Sequence, residues 1–487
     1  MEETLVRAQC GLNTVAAGQK NIHSRYNPII EAERYIDSLN PRGCIEYIIL
    51  AECGLCYVIE PLRKKFPTAK IISLHLSAFY AGKSYTAPDA EWTPDSPLSL
   101  NVFLENEIDD TEADKIKIIE WRPAASVYKH EYLNLIKEIT AFVKLSDANK
   151  RTRTAFGRRW LKNVIRNCFL LKDCINITRV TKSGFDCIIA GAGPDLEDAY
   201  GAIRDLTKNG ALLIAVSSAV NALLYAGLHP DIIVACDGGN WAHLHLFESI
   251  RFFYDKKPAY PVLAFSLNAA IPSQCAVFNL LPISDESLFQ GIAGKFFDIS
   301  CLSFPQRGTV SASAFDLALH ITSGVIYTAG INFSHKGIRT HVKPYAFDAI
   351  LSNSTDRFRP LYTRQFERAD MITKSGANSI YAGWFSRQNY PRSIYSITND
   401  NWVFTGKSKK ITADIFTFNK KKAEFNPVTN FISALFAALE SPVTKDRLAY
   451  ELSDMLFDGG ESSKYENLRD ELLQITEKYR IIEARNG

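Results

Sequence analysis

Apolar positions in this chain fall into short continuous runs separated by longer periodic stretches. The runs Glu46–Ala51, Ile71–His75, Cys187–Ala190, Ala211–Val216, Ile232–Cys236, Pro261–Leu267 and Gly324–Ala329 predict strands buried on both faces. Ala276–Leu280, Phe296–Leu302 and Ser393–Ile397 are further strand candidates. Helical periods lie between them and close the chain at Asn426–Glu440, Lys445–Phe457 and Lys464–Ala484. Residues 1–40 read as a mostly helical lead-in. In it Asn27-Pro28 starts a helix, and Ile29, Ala32, Ile36 and Leu39 share one face. Alternating strands and helices predict an α/β protein with parallel sheets. We expect a Rossmann-like N-terminal domain over 1–155, a central α/β domain over 156–408, and a C-terminal helical region over 409–487. The basic, threonine-rich RTRTAFGRR (Arg151–Arg159) is the expected first boundary.

The sharpest local pattern is FDCIIAGAGPDL (Phe185–Leu196). A buried strand runs into Gly191-Ala192-Gly193-Pro194, and a polar helix start follows. Such a turn offers backbone N–H groups and a positive helix end to a phosphate, although many βα turns need glycine for geometry alone. Ligands of open parallel sheets bind outside the carboxyl ends of the strands. By that rule the Gly191–Asp195 turn, Ser217-Ser218 and Asp237 converge on one crevice. The loop GINFSHKGIRTHVKPYAFD (Gly330–Asp348) follows a buried strand and carries His335, His341, Arg339, Lys343 and Tyr345, an active-site composition.

Composition narrows the reading. The 487 residues carry a net charge of only +3, against a dedicated nucleic-acid binder. Met1–Arg7 is polar and acidic rather than a signal peptide, and the longest apolar run, Ala211–Leu228, is interrupted by Ser217, Ser218 and Asn221, so no membrane span is expected. Ten cysteines without a regular framework fit reduced thiols and a cytoplasmic location. The lone CGLC (Cys53–Cys56) at a strand-to-helix turn is a redox pair or a packed turn. Several motifs fail. Leu196 stands where a dinucleotide fingerprint needs a small residue, Ser77 and Asn401 stand where the first P-loop glycine belongs, and GxSxG is absent. His243-x-His245 on a helix would point two ways and reads as packed or solvated rather than metal-binding.

The order of motifs resembles a family. FDCIIAGAGPDL, PDIIVACDGG and GTVSASAFDLALHITSGVIYTAGINF are similar to the central domain of motility-associated factor (Maf) glycosyltransferases, and HSRYNPIIEAERYID and EYIILAECGLCY to its N-terminal domain. The family resembles cytoplasmic enzymes that attach nonulosonic, sialic-acid-like sugars to flagellin Ser/Thr. A like turn, and a G-I-D-F strand end followed by Y-A-F-D, occur in bacterial sialyltransferases that use CMP-sialic acid. They match Gly330–Phe333 and Tyr345–Asp348 here.

The resemblance implies roles residue by residue. Gly191, Ala192, Gly193 and Pro194 would lie against the donor phosphate, and Gly330 and Asn332 would also bind the donor. Ser217 or Ser218 and Asp237 would face cytidine and ribose, and Thr309 and Ser311 the sugar. Tyr345 would hydrogen-bond the leaving phosphate, helped by Lys343 or Arg339. His341, or else His335, would be the base. The partners implied are flagellin and a CMP-activated nonulosonic acid, with no metal and no further cofactor; the oligomeric state is left open. The chain departs from the pattern at Asp195 (for Ser), Asn332 (for Asp) and Ser334 (for Tyr), and no histidine follows His341. The glycine-proline turn also resembles archaeal-type hydroxymethylpterin diphosphokinases, Mg²⁺-dependent enzymes for which Asp195 and Asp237 would hold the metal. A non-catalytic flagellin-binding or export partner is the third reading.

Overall fold

The computed structural model describes residues 3–40, 44–108, 115–172, 176–254, 261–285, 287–305 and 307–376. Beyond these it describes 378, 381–382, 385, 394–397, 416–419, 428–441, 448, 451–452, 455–456, 468 and 470–475. The chain divides into two compact units, Met1–Ala155 and Phe156–Gly487.

The first unit opens with β1 (Glu3–Arg7), β2 (Asn13–Ala17) and β3 (Lys20–Asn21), an antiparallel meander where a mostly helical lead-in was expected. Gly11 and Gly18, both at positive φ, make the turns. Strands this short, with only two or three residues per face, leave little periodicity to read. Helix α1 (Pro28–Ser38) starts as expected: the Asn27 side chain accepts from the Ile29 and Ile30 amides, and Pro28 occupies the first turn. A parallel sheet follows, made of β4 (Tyr47–Ala51), β5 (Lys70–Leu74), β6 (Ala90–Trp92) and β7 (Ile116–Glu120) in the order β6-β5-β4-β7. Helices α2 (Ile59–Lys65) and α3 (Leu100–Glu107) connect its strands. The helical stretch α4 (Arg122–Lys172), kinked at a non-helical Lys129, includes the RTRTAFGRR segment that was expected as a connection.

The second unit is built on a ten-stranded sheet. Its strands are β8 (Asn176–Val180), β9 (Cys187–Ala190), β10 (Leu212–Val216), β11 (Ile232–Ala235), β12 (Val262–Ser266), β13 (Asn279–Ser284), β14 (Leu302–Ser303), β15 (Ile326–Ala329), β16 (Ile394–Ser396) and β17 (Phe416–Asn419). Their order is β16-β15-β9-β10-β11-β12-β13-β8-β17, with β14 beside β13. Every pairing is parallel except β17 with β8. Strands β9 to β12 are buried along their whole length, which is why they read as unbroken apolar runs. Phe296–Leu302, expected as one strand, is instead the end of helix Leu288–Phe296, a turn and the two-residue β14.

Helices α5 (Tyr200–Lys208), α6 (Val220–Tyr225), α7 (Leu244–Phe253), α8 (Leu288–Phe296) and α9 (Val310–Ile321) serve the crossovers. The alanines of α9 bring it close across β9, β10 and β11. Helices α10 (Asp348–Asn353) and α11 (Leu361–Ser375) follow the long loop after β15. Residues 409–487, expected as a helical region, supply β17 as well as α12 (Val428–Glu440). Phe431, Leu435, Leu452 and Leu472 join the core of this unit. The expected helices at 445–457 and 464–484 lie mostly outside the described residues. Among the described residues no helix is long and apolar enough to cross a membrane.

One topological feature positions everything that follows. From β9 the chain adds β10 to β13 on one side, then returns to place β15 on the other. The carboxyl ends of β9 and β15 therefore flank the point where strand order reverses, where a crevice opens in doubly wound sheets.

Candidate active site at the strand-order reversal

The turn after β9 is built against the turn after β15. The Gly191 amide donates to the Ala329 carbonyl at 2.7 Å and the Gly193 amide to the Gly330 carbonyl at 2.8 Å. A Cβ on Gly193 would sit 2.7 Å from the Gly330 oxygen and 2.8 Å from Asn332 Oδ1, and one on Gly330, at φ +65°, would sit 2.5 Å from the Gly191 oxygen. These glycines are required because two backbones touch. The expectation that the Gly191 and Gly193 amides hold a phosphate is thereby corrected: both N–H groups already have carbonyl partners. The Ala192 carbonyl accepts from the Val342 amide at 2.9 Å, tying the long loop onto the turn. Pro194, buried, opens the 3-10 turn Pro194–Ala199.

The other expected residues end neighbouring strands. Ser217 (buried) and Ser218 follow β10 in a 3-10 turn, and Asp237 follows β11 with Oδ1 accepting from the Gly239 amide at 2.7 Å. Thr309 caps α9 in extended conformation without using its hydroxyl as a cap, and Ser311 lies in the first turn.

Above them the long loop folds into an aromatic and cationic cluster. The rings of His341 and Tyr345 stack at 4.2 Å between centroids, and His245 lies 5.2 Å from Tyr345 and 4.6 Å from Phe347. The Arg368 guanidinium, from α11, lies over the Tyr345 ring, 4.7 Å from its centre. Burial pushes the Tyr345 phenol above its usual range, against the pull of Arg368, and the phenol also feels Asp237. Tyr381 feels the same carboxylate. Tyr345 and Asp237, drawn from distant segments, are thus near enough for the carboxylate to act on the phenol.

His341 and His245 are neutral here. Burial first, then Arg368, His245 and Lys343, press His341 down to about 3, and burial with Arg368 presses His245 down to about 4. The near-neutral pKa expected for His341 is therefore corrected; its Nδ1 is within 2.9 Å of the Thr340 hydroxyl. His335 is exposed and turned elsewhere, bonded to the Gly337 carbonyl and the Thr373 hydroxyl. The two expected cations have acidic partners: Arg339 pairs with Glu197 at 3.0 Å and Lys343 with Asp348 at 2.5 Å. Arg368 is the cation over the Tyr345 ring. Sequence reasoning missed it because helix α11 lies outside every recognised motif, although Arg364 and Arg368 share a helical spacing on it. His245, dismissed with His243 as a metal pair, is a wall of the cluster.

The CGLC turn of the first unit is different. Cys53 and Cys56 are buried, and burial raises the Cys53 thiol well above its usual range, away from redox reactivity. Cys56 approaches the Ser73 hydroxyl at 3.3 Å, and Ser73 approaches His75 Nε2 at 3.0 Å. His75 lies 3.3 Å from both Glu52 and Glu91, while Glu52 accepts from the Gly54 and Leu76 amides. Burial acts to lower the His75 pKa, but the neighbouring Cys56, Glu52 and Glu91 prevail and hold it well above the usual range.

Comparison with known proteins places residues 159–337 in a match to the family model described as 6-hydroxymethylpterin diphosphokinase MptE-like. An uncharacterised protein of Treponema pallidum (strain Nichols) is 28% identical over 389 residues, 76% of this chain and 79% of that protein. The solved structure of a Maf glycosyltransferase from Magnetospirillum magneticum AMB-1 aligns with 98% of this chain and 87% of its own at 12% identity, with a TM-score of 0.47.

Proposed function

We propose that the second unit is the catalytic part of a glycosyltransferase that moves a nonulosonic sugar from a CMP-activated donor to Ser or Thr of a flagellin in the cytoplasm. The observation that supports it best is Arg368 over the Tyr345 ring near the strand-order reversal, a cation beside a hydroxyl donor at the end of a doubly wound sheet. The ordered resemblance of its motifs supplies the donor class.

In this reading the CMP phosphate lies against Arg368 and the Tyr345 hydroxyl. Ser217, Ser218 and Asp237 lie along the nucleoside, and Thr309 and Ser311 along the sugar. The acceptor oxygen bonds to the anomeric carbon as the bond from that carbon to the phosphate oxygen breaks, and both electrons of that bond leave with CMP. Charge-assisted hydrogen bonds from Arg368 and Tyr345 meet the charge that develops on the phosphate. The acceptor's proton passes to His341. That imidazole is a weak base because of burial first and then the charges of Arg368 and Lys343. An anionic donor offsets those cations and raises its proton affinity, so the base is armed only in the loaded complex.

The match of residues 159–337 favours a second reading, Mg²⁺-dependent diphosphate transfer from ATP. Calorimetric titration of CMP, CDP and ATP with and without Mg²⁺ separates the two. Metal-independent CMP binding is expected. Mg²⁺-dependent ATP binding alone would select the diphosphokinase, and binding of none of them would select a flagellin-binding partner without catalysis.

A further inference from the structure

A second set of basic side chains lies along the carboxyl ends of β11 and β12. Arg159, Asn163 and Arg166 recur at helical spacing on α4 and so share a face. Asn163 Nδ2 donates to the Asn268 carbonyl at 2.9 Å and the Gly238 carbonyl at 3.3 Å. One turn further, Asn167 Nδ2 donates to the Leu267 and Ala269 carbonyls at 2.9 and 2.8 Å. Both amides are buried, and they satisfy carbonyls that the ends of the strands leave unpaired. Gly238 completes the fit, since a Cβ there would lie 2.5 Å from Trp160 Nε1 and 2.7 Å from the Asn268 oxygen. The helix is fixed at this height, and its arginines with it.

Beside it lies an open-mouthed cavity of about 290 Å³, lined by Arg159, Asn163, Arg166, Gly238, Asn240 and His243, with no acidic residue in its wall among the described residues. Two guanidinium groups beside a concave wall focus a positive potential and match the fork of an oxyanion. The volume is at the lower end for ligand pockets, about the size of one sugar ring or a phosphate group. Gly238 and Asn240 flank the loop that begins at Asp237, and His243 precedes His245 by two residues. The cavity therefore begins one residue after Asp237, and Tyr345 and Arg368 are not in its lining.

We propose that this cavity is a separate subsite for an oxyanion carried by a small polar ligand, either the carboxylate of a sugar acid or a phosphate. The proposal does not depend on which transfer the Tyr345 site performs. It is tested on the full chain by calorimetry with N-acetylneuraminic acid and with inorganic phosphate as probes; whichever binds identifies the source of the oxyanion. Arg159→Gln and Arg166→Gln should each weaken binding about tenfold, and the double variant should abolish it. Asn240→Asp, at an exposed position, should abolish it too by placing a carboxylate at the mouth. Tyr345→Phe should leave it unchanged, as should Lys208→Gln, which removes an exposed positive charge elsewhere. Failure of both probes to bind wild-type protein at ~10 mM, well short of the affinity of a specific site, would overturn the proposal. So would full binding in a folded double variant or in Asn240→Asp.

Discussion

At the carboxyl end of β4 and β5 in the first unit, Glu52, Ser73, His75 and Cys56 hydrogen-bond one another, Glu91 joins them, and His75 stacks on Tyr80. At the carboxyl ends of β9, β11 and β15 in the second unit, the polar groups are Asp237, Tyr345 and Arg368, and the histidines beside them are neutral. Both are parallel α/β sheets, and in both the strand ends collect polar residues. The first set is closed: the charge on His75 faces two carboxylates, and Glu52 is fully buried. In the second, burial and then a guanidinium press protons off two imidazoles beside the strand-order reversal. A perturbed histidine therefore marks structure in one unit and a candidate site in the other; the sign of the shift and the kind of neighbour tell them apart.

The largest effect that should separate the two regions is on stability. Glu52→Ala removes a carboxylate from buried His75 and should destabilise the first unit by about 3–5 kcal/mol in urea unfolding, because a buried charge loses its partner. Nucleotide binding should survive at low denaturant. Tyr345→Phe should do the reverse. Donor turnover should fall about 10²-fold, as for loss of one donor to a developing anion, with unfolding almost unchanged. Gly193→Ala tests whether the turn is structural: pushing the Gly330 carbonyl aside should cost about 1–3 kcal/mol in the second unit, as overpacking does.

Ring titration by NMR sharpens the contrast further. His75 should titrate above the ordinary 6.5, whereas His341 and His245 should titrate near about 3 and about 4. For His75 the stabilisation is complete below the unfolded pKa and is lost as pH rises through its raised folded value. For His341 and His245 it is present above 6.5 and is lost as pH falls toward their folded values, because the unfolded chain binds the protons first. Adding CMP should raise the pKa of His341. A free-protein His341 titrating at 6.5 or above would break the comparison.

The buried strands were legible because an apolar run four to six residues long has few alternatives in a chain of alternating elements. Their order was not, since pairing of β9 with β15 depends on residues more than a hundred positions apart. The Gly191–Pro194 turn was visible, but its reason was not. The same glycines could free amides for a phosphate or let two backbones touch, and only the Ala329 and Gly330 carbonyls decide between these. Tyr345 and Asp237 were singled out by their loop and strand-end positions. Arg368 was invisible because a cation on an amphipathic helix looks solvated until the ring it covers is known. The N-terminal meander went unread because its strands are too short to show their period.

The central claim is that the crevice at the strand-order reversal holds a nucleotide through Arg368. Calorimetric titration of CMP without Mg²⁺ into wild-type protein and Arg368→Gln tests it directly. Binding in the wild type that weakens about tenfold or more in the variant, with unfolding unchanged, is the expected result. Absence of CMP binding, or equal binding by both proteins, would contradict it.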